Sequence, residues 1–132
     1  MSPSIHHIAI AVRDLDAALD FYRDALGLEM TERRQVPEEG VEIAFLPTGD
    51  GEIELLQPLD EDGGVARFLE KRGEGLHHVC LAVDDVEAAM ERLQAAGAQL
   101  LSDEPRVGAH GIRYVFVHPK STHGVLVELY EA

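Results

Sequence analysis

Residues 5–27 read IHHIAIAVRDLDAALDFYRDALG, and residues 76–97 read LHHVCLAVDDVEAAMERLQAAG. Set one above the other, they are two copies of one unit. His6-His7 matches His77-His78, Ala11-Val12 matches Ala82-Val83, and Asp14 matches Asp85. Ala17-Ala18 matches Ala88-Ala89, and Gly27 meets Gly97 once a single residue is dropped from the second copy. The halves also end alike, with Ile53-Glu54-Leu55 in one and Val127-Glu128-Leu129 in the other. An internal repeat is the first thing to establish in a chain, because missing it misreads the fold. We read module 1 as about residues 1–60, a linker 61–73 and module 2 as about 74–132, together one domain spanning 1–132.

Each module opens on a strand. Ile8, Ile10 and Val12 alternate with His7, Ala9 and Ala11, and Val79, Leu81 and Val83 alternate with His78, Cys80 and Ala82, the period of a half-buried strand. The branched face should pack on a helix; the other carries a histidine among small residues. Asp14 and Asp85 are placed to cap the helices that follow, since an Asp oxygen accepts the unpaired amides of a first turn. Apolar residues then recur at helical spacing: Leu15, Ala18, Leu19, Tyr22 and Leu26 in one copy, Val86, Ala89, Met90 and Leu93 in the other. Gly27 and Gly97 fit the left-handed residue that ends a helix. Short extended segments follow at roughly 28–36, 41–46 and 52–57, then 99–102, 112–118 and 124–130. The unit is therefore βαβββ, twice: an α+β chain of two tandem modules whose bare sheet faces, brought together, would form a cleft. Residues 65–73 fit a short helix stopped by Gly73.

Composition narrows the function. The chain has 132 residues with 45% hydrophobic and 27% charged, ordinary globular usage. Lys and Arg number 11 against 25 Asp and Glu, a formal net charge of −14. Such a surface repels phosphate backbones and anionic lipid, so neither nucleic acid nor membrane is an expected partner. One cysteine, Cys80, excludes an internal disulfide and a thiolate cluster. With no secretory signal and no long apolar run, the expected location is cytoplasmic.

Alternation places the candidate chemistry. His7 and His78 lie on the face away from the helix. Glu54 and Glu128 interrupt otherwise apolar strands at matching places, and a carboxylate inside such a strand is costly unless paired or metal-bound. A lone strand histidine is ordinarily a surface or hydrogen-bonded residue, and a lone strand glutamate ordinarily meets solvent; the duplication is what argues otherwise. Two His and two Glu make a four-donor set of N and O suited to Zn, Ni, Co, Mn or Fe(II). His6 and His77 fall on the opposite face and are read as structural or exposed.

With these residues in view, the chain resembles the vicinal oxygen chelate superfamily, which implies that the two tandem βαβββ modules form a cupped mixed sheet around a metal site. Within it the match is closest to the methylmalonyl-CoA epimerases. It is carried by IHHIAIAV, GEIELLQPL at 51–59, FLEKRGEGLHHV at 68–79, DEPRVGAHG at 103–111 and HPKSTHGVLVEL at 118–129, nearly the whole chain. The resemblance implies His7, Glu54, His78 and Glu128 as metal ligands, with Gln in place of Glu54 in some members. It implies a divalent ion, Co2+ first, with Mn2+, Ni2+, Zn2+ or Fe2+ sharing the donors. It implies an acyl-CoA substrate, a homodimer, and epimerisation at C2 through an enolate. Glu128 is the expected base on one face. Some members carry a further acid in the third strand, and here the candidate is Glu42, on the face of Ala44 and Leu46; a shift of one residue would put Ile43 there. Lys120 and Arg106 are the candidate contacts to the substrate, whereas Arg113 reads as ordinary surface charge. Two alternatives stand beside this reading: a glyoxalase-type isomerase acting on a thiol adduct, and a non-catalytic small-molecule-binding protein of the same fold.

Overall fold

The computed structural model describes residues 3–132. It divides into two compact units, residues 7–77 and residues 78–132 with 3–6. Each has the expected α+β arrangement.

The N-terminal unit holds β1 (Ser4–Ala11, which begins in the other unit), β2 (Glu32–Val36), β3 (Val41–Thr48) and β4 (Gly51–Pro58). They lie in the order β2-β3-β4-β1, with β1 parallel to β4 and the other neighbours antiparallel. Helix α1 (Leu15–Leu19) is capped by Asp14, whose side chain accepts from the Ala17 amide at 3.2 Å. Val12, Leu15, Leu19, Ala44, Leu46 and Leu55 form its core, with Ile10 and Ile53 packed against them. Ile10 and Val12 thus face the helix, as alternation requires, and His7 faces away. Helix α2 (Gly64–Arg72) fills the expected linker position and ends at Gly73, whose φ of 79° needs a glycine.

The C-terminal unit repeats the plan with β5 (Gly75–Val83), α3 (Val86–Ala95), β6 (Arg106–Val107), β7 (Arg113–Val117) and β8 (Val127–Glu131). Strand order is β5-β8-β7-β6, with β5 parallel to β8. Asp85 caps α3 through the Ala88 amide at 3.0 Å. Val83, Val86, Ala89, Met90, Val115, Val117 and Leu129 form the core.

The residue that breaks the sequence match between the two copies has a visible destination. Where α3 is regular, α1 gives way to a π-helix over Asp20–Ala25, with the Leu26 amide donating to the Phe21 carbonyl at 2.7 Å. A wider turn absorbs one residue more without moving the helix ends. It also carries Leu26 off the apolar stripe to 54% exposure, and Leu28 and Met30 pack on the core in its place. Other boundaries differ from expectation for local reasons. Segment 99–102 makes one bridge, Leu100 to Val117, and the edge strand forms instead at Arg106–Val107, beyond Pro105, which has no amide to donate. The last strand begins at Val127 rather than 124, because His123 and Gly124 both take left-handed backbone (φ 63° and 97°) in the preceding turn. The second strand begins at Glu32 rather than 28.

Matched side chains fix each helix to its sheet. The Leu15 amide donates to Gln57 Oε1 at 2.6 Å, and the Val86 amide to Glu131 Oε2 at 3.0 Å, so the last strand of each unit caps the first turn of its helix. Arg113 adds forked bonds to Glu131 at 2.9 and 2.8 Å and one to Glu87 at 2.6 Å. The expected surface charge is therefore a tie between β7, β8 and α3.

Two outcomes follow. Deleting Asp24, exposed within the π-turn, should convert it to α-helix with the fold retained; loss of cooperative thermal unfolding would refute the assignment of the extra residue. The bonds from Arg113 and from the Val86 amide hold the Glu131 carboxyl below its ordinary range. A depressed carboxyl contributes stability that is complete above the unfolded value and lost as pH falls through the folded one. Melting temperature against pH should therefore fall less steeply on the acid side for Glu131→Gln than for the parent, and parallel curves would contradict this.

Candidate metal centre

Each unit brings one imidazole onto one carboxylate. In the N-terminal unit, β1 and β4 run parallel with Ala9 beside Glu54, and His7 lies two residues before Ala9 on the same face. His7 Nδ1 is 3.2 Å from Glu54 Oε2. In the C-terminal unit, β5 and β8 run parallel with Cys80 beside Glu128, and His78 lies two residues before Cys80. His78 Nε2 is 3.0 Å from Glu128 Oε1. The two pairs are equivalent in register, and all four residues are buried, at 3%, 8%, 6% and 6% exposure for His7, Glu54, His78 and Glu128.

An aromatic ring stands across the sheet from each carboxylate: Phe45 from Glu54 and Phe116 from Glu128. Phe116 meets the His78 ring edge-on, centroids 5.1 Å apart. Sequence reading missed both walls. The signal was there, a phenylalanine at the same place in the third strand of each copy, but it shows only once the third strands are aligned on the glutamates.

The donor set fits a divalent ion. Both carboxylates sit in apolar strands, where an ionised oxygen costs several kcal/mol unless countercharged. Imidazole nitrogen with carboxylate oxygen is the mixture that borderline divalent metals take. The neighbouring histidines make aromatic contacts: His6 meets Tyr130 with centroids 4.4 Å apart and rings tilted by 40°, and His77 meets Phe68 edge-on at 5.0 Å.

Glu42 is not on this face. It alternates with Ala44 and Leu46, and those two residues pack in the core beneath α1. Its cross-strand partner is Gln57, the residue that caps α1. Glu42 Oε2 accepts from Arg33 Nε at 3.2 Å, and Arg33 Nη1 donates to Asp16 in the first turn of α1 at 2.6 Å. Counting from the paired glutamates, Glu42 corresponds to Arg113, which ties β7 to the first turn of α3 in the same way. Ile43 and Phe45 hold the positions facing Glu54. The expected second base is thus corrected: the strand's two faces were distinguished by alternation, but which of them meets the helix is set by packing, and packing takes the Glu42 side.

Arg106 is exposed on β6, directly across from Tyr114, whose own partner is Tyr130. It therefore shares the face of Glu128. Lys120 is exposed in the turn Pro119–Ser121 that leads to β8, and its amide donates to His118 Nδ1 at 3.0 Å.

Comparison with known proteins agrees with this architecture. The profile of the Glyoxalase/Bleomycin resistance protein/Dioxygenase superfamily matches residues 6–116. The ethylmalonyl-CoA/methylmalonyl-CoA epimerase of Cereibacter sphaeroides is 47% identical over 127 residues, covering 95% of this chain and 95% of that protein. The mitochondrial methylmalonyl-CoA epimerase of Mus musculus is 45% identical over 129 residues, covering 97% of this chain and 72% of that one. A variant of Streptomyces coelicolor methylmalonyl-CoA epimerase, solved with 2-nitronate-propionyl-CoA, superposes with a TM-score of 0.92 at 41% identity, covering 99% of each chain. The chain belongs to the glyoxalase/bleomycin resistance protein/dioxygenase superfamily and, within it, to the methylmalonyl-CoA epimerases.

Proposed function

We propose that the chain epimerises methylmalonyl-CoA at C2, with His7, Glu54, His78 and Glu128 together holding one divalent ion, Co2+ in the first instance. The observation that carries this is the register-equivalent pair of buried His–Glu contacts, one in each unit. Membership of the epimerase family, and the acyl-CoA analogue bound by the Streptomyces coelicolor relative, support the substrate. The reading retains the homodimer implied by the resemblance and the cytoplasmic location expected from the sequence. The glyoxalase-type and purely binding alternatives gain no separate observation.

The C2 hydrogen of the substrate lies between a thioester and a carboxylate. When bound, the ion supplies a Lewis acid for the thioester oxygen, where enolate charge collects. Glu128 takes the C2 proton, and the C–H electron pair moves into the enolate. A proton delivered to the opposite face of C2 as the enolate collapses gives the other isomer, and Glu54, where some family members carry Gln, serves as a ligand rather than a proton carrier. Phe45 and Phe116 stand across the sheet from the two carboxylates.

Replacing His78 or Glu54 by Ala should lower the amount of Co(II) retained after dialysis while circular dichroism stays near the parent; full metal stoichiometry in both variants would refute the ligand set. Glu128→Gln keeps an oxygen donor and removes the proton carrier. Isomer interconversion should fall by about 10²-fold or more with Co(II) still bound. Interconversion at the parent rate would remove Glu128 from proton transfer.

A further inference from the structure

The edge strands of the two units carry arginines in matched places. In the C-terminal unit, Phe116 stands across from Glu128, Tyr114 across from Tyr130, and Arg106 across from Tyr114. In the N-terminal unit, Phe45 stands across from Glu54, Ile43 across from Leu56, and Arg34 across from Ile43. Residues directly opposite on antiparallel strands project from the same face. Arg34 therefore shares the face of His7 and Glu54, as Arg106 shares that of Glu128. Each arginine is two strands out from its glutamate and two residues along.

Adjacent arginines on β2 have opposite circumstances. Arg33 projects on the helix side and is held between Asp16 and Glu42 at 2.6 and 3.2 Å. Arg34 meets Glu32 at 3.6 Å, with both side chains well exposed, at 45% and 39%. A pair so exposed contributes little, so an arriving oxyanion displaces it at little cost. The other charged strand residues on that face of β1–β4 are Glu32, Glu52 and Glu54, which leaves Arg34 as its one guanidinium. A chain of net charge −14 repels an anionic substrate at long range, so capture requires local cations where the substrate lies. Two strand spacings and two residues put the Arg34 and Glu54 Cα atoms roughly 12 Å apart. That distance separates Arg34 from the ligand position Glu54.

We propose that Arg34 is a substrate-binding residue, the counterpart of Arg106, and takes an oxyanion of the acyl-CoA: its acyl carboxylate or a phosphate of the CoA. This rests on the acyl-CoA reading above but not on turnover. The test is calorimetric titration of malonyl-CoA, which has no C2 stereocentre, into the metal-loaded parent, Arg34→Gln, Arg34→Lys and the control Arg33→Gln. Arg34→Gln should weaken binding about tenfold or more, with Arg34→Lys between it and the parent and Arg33→Gln unchanged. With malonyl-pantetheine, which lacks the CoA phosphates, persistence of the defect assigns the carboxylate and its disappearance assigns a phosphate. In turnover of methylmalonyl-CoA, Arg34→Gln should raise KM and leave kcat near the parent value. Unchanged malonyl-CoA affinity in Arg34→Gln, an equal loss in Arg33→Gln, or a parent that does not bind malonyl-CoA would overturn the proposal. An Arg34-dependent affinity in a parent that does not epimerise would uphold it and overturn the epimerase reading instead.

Discussion

A carboxylate in the middle of an apolar strand is the constraint from which the rest of this molecule follows. Glu54 and Glu128 are each flanked by residues that face a hydrophobic core, so each projects away from its helix onto the other side of its sheet. There each meets a buried imidazole from a parallel neighbouring strand. Parallel pairing of the first and last strands of a unit is what brings a residue near position 7 beside one near position 54, and it requires the helix as a crossover. The helix must then be fastened to the sheet, and Gln57 and Glu131, three residues beyond the glutamates, cap its first turn. The buried carboxylate and the helix anchor are thus products of one strand, separated by its pleat.

The same division governs the basic residues. Arg33 and Arg113 project on the helix side and are fully engaged with acids of the helix first turn and the neighbouring strand. Arg34 and Arg106 project on the glutamate side and carry no comparable engagement. In a chain with more than two acidic residues for each basic one, guanidinium groups are scarce. The fold commits two of them to holding helices and leaves two on the face of the paired glutamates.

What could be read in the sequence was whatever the duplication stated twice. His7 and His78, Glu54 and Glu128, the two capping aspartates and the closing glycines all repeat in the same order, and each is where repetition and alternation put it. Glu42 shows the limit. Alternation assigns it the company of Ala44 and Leu46, but only tertiary packing decides that this company lies beneath α1. Its correspondence with Arg113 was hidden because the two residues have opposite charges, although both tie the sheet to a helix. The edge strand at Arg106–Val107 was illegible for a related reason: two residues carry no periodicity, and their pairing depends on where Pro105 releases the chain. The match of Arg34 to Arg106 depends on strand registers that no local pattern encodes.

The π-turn at Asp20–Ala25 bears on how two copies of one unit came to differ. A residue added to a strand would exchange its faces and send a glutamate into the core. A residue added to the helix is taken up within one turn, and Gly27 still ends the helix as Gly97 does in the other copy. The crossover helix is therefore one place where the two copies differ in length without exchanging the faces of any strand.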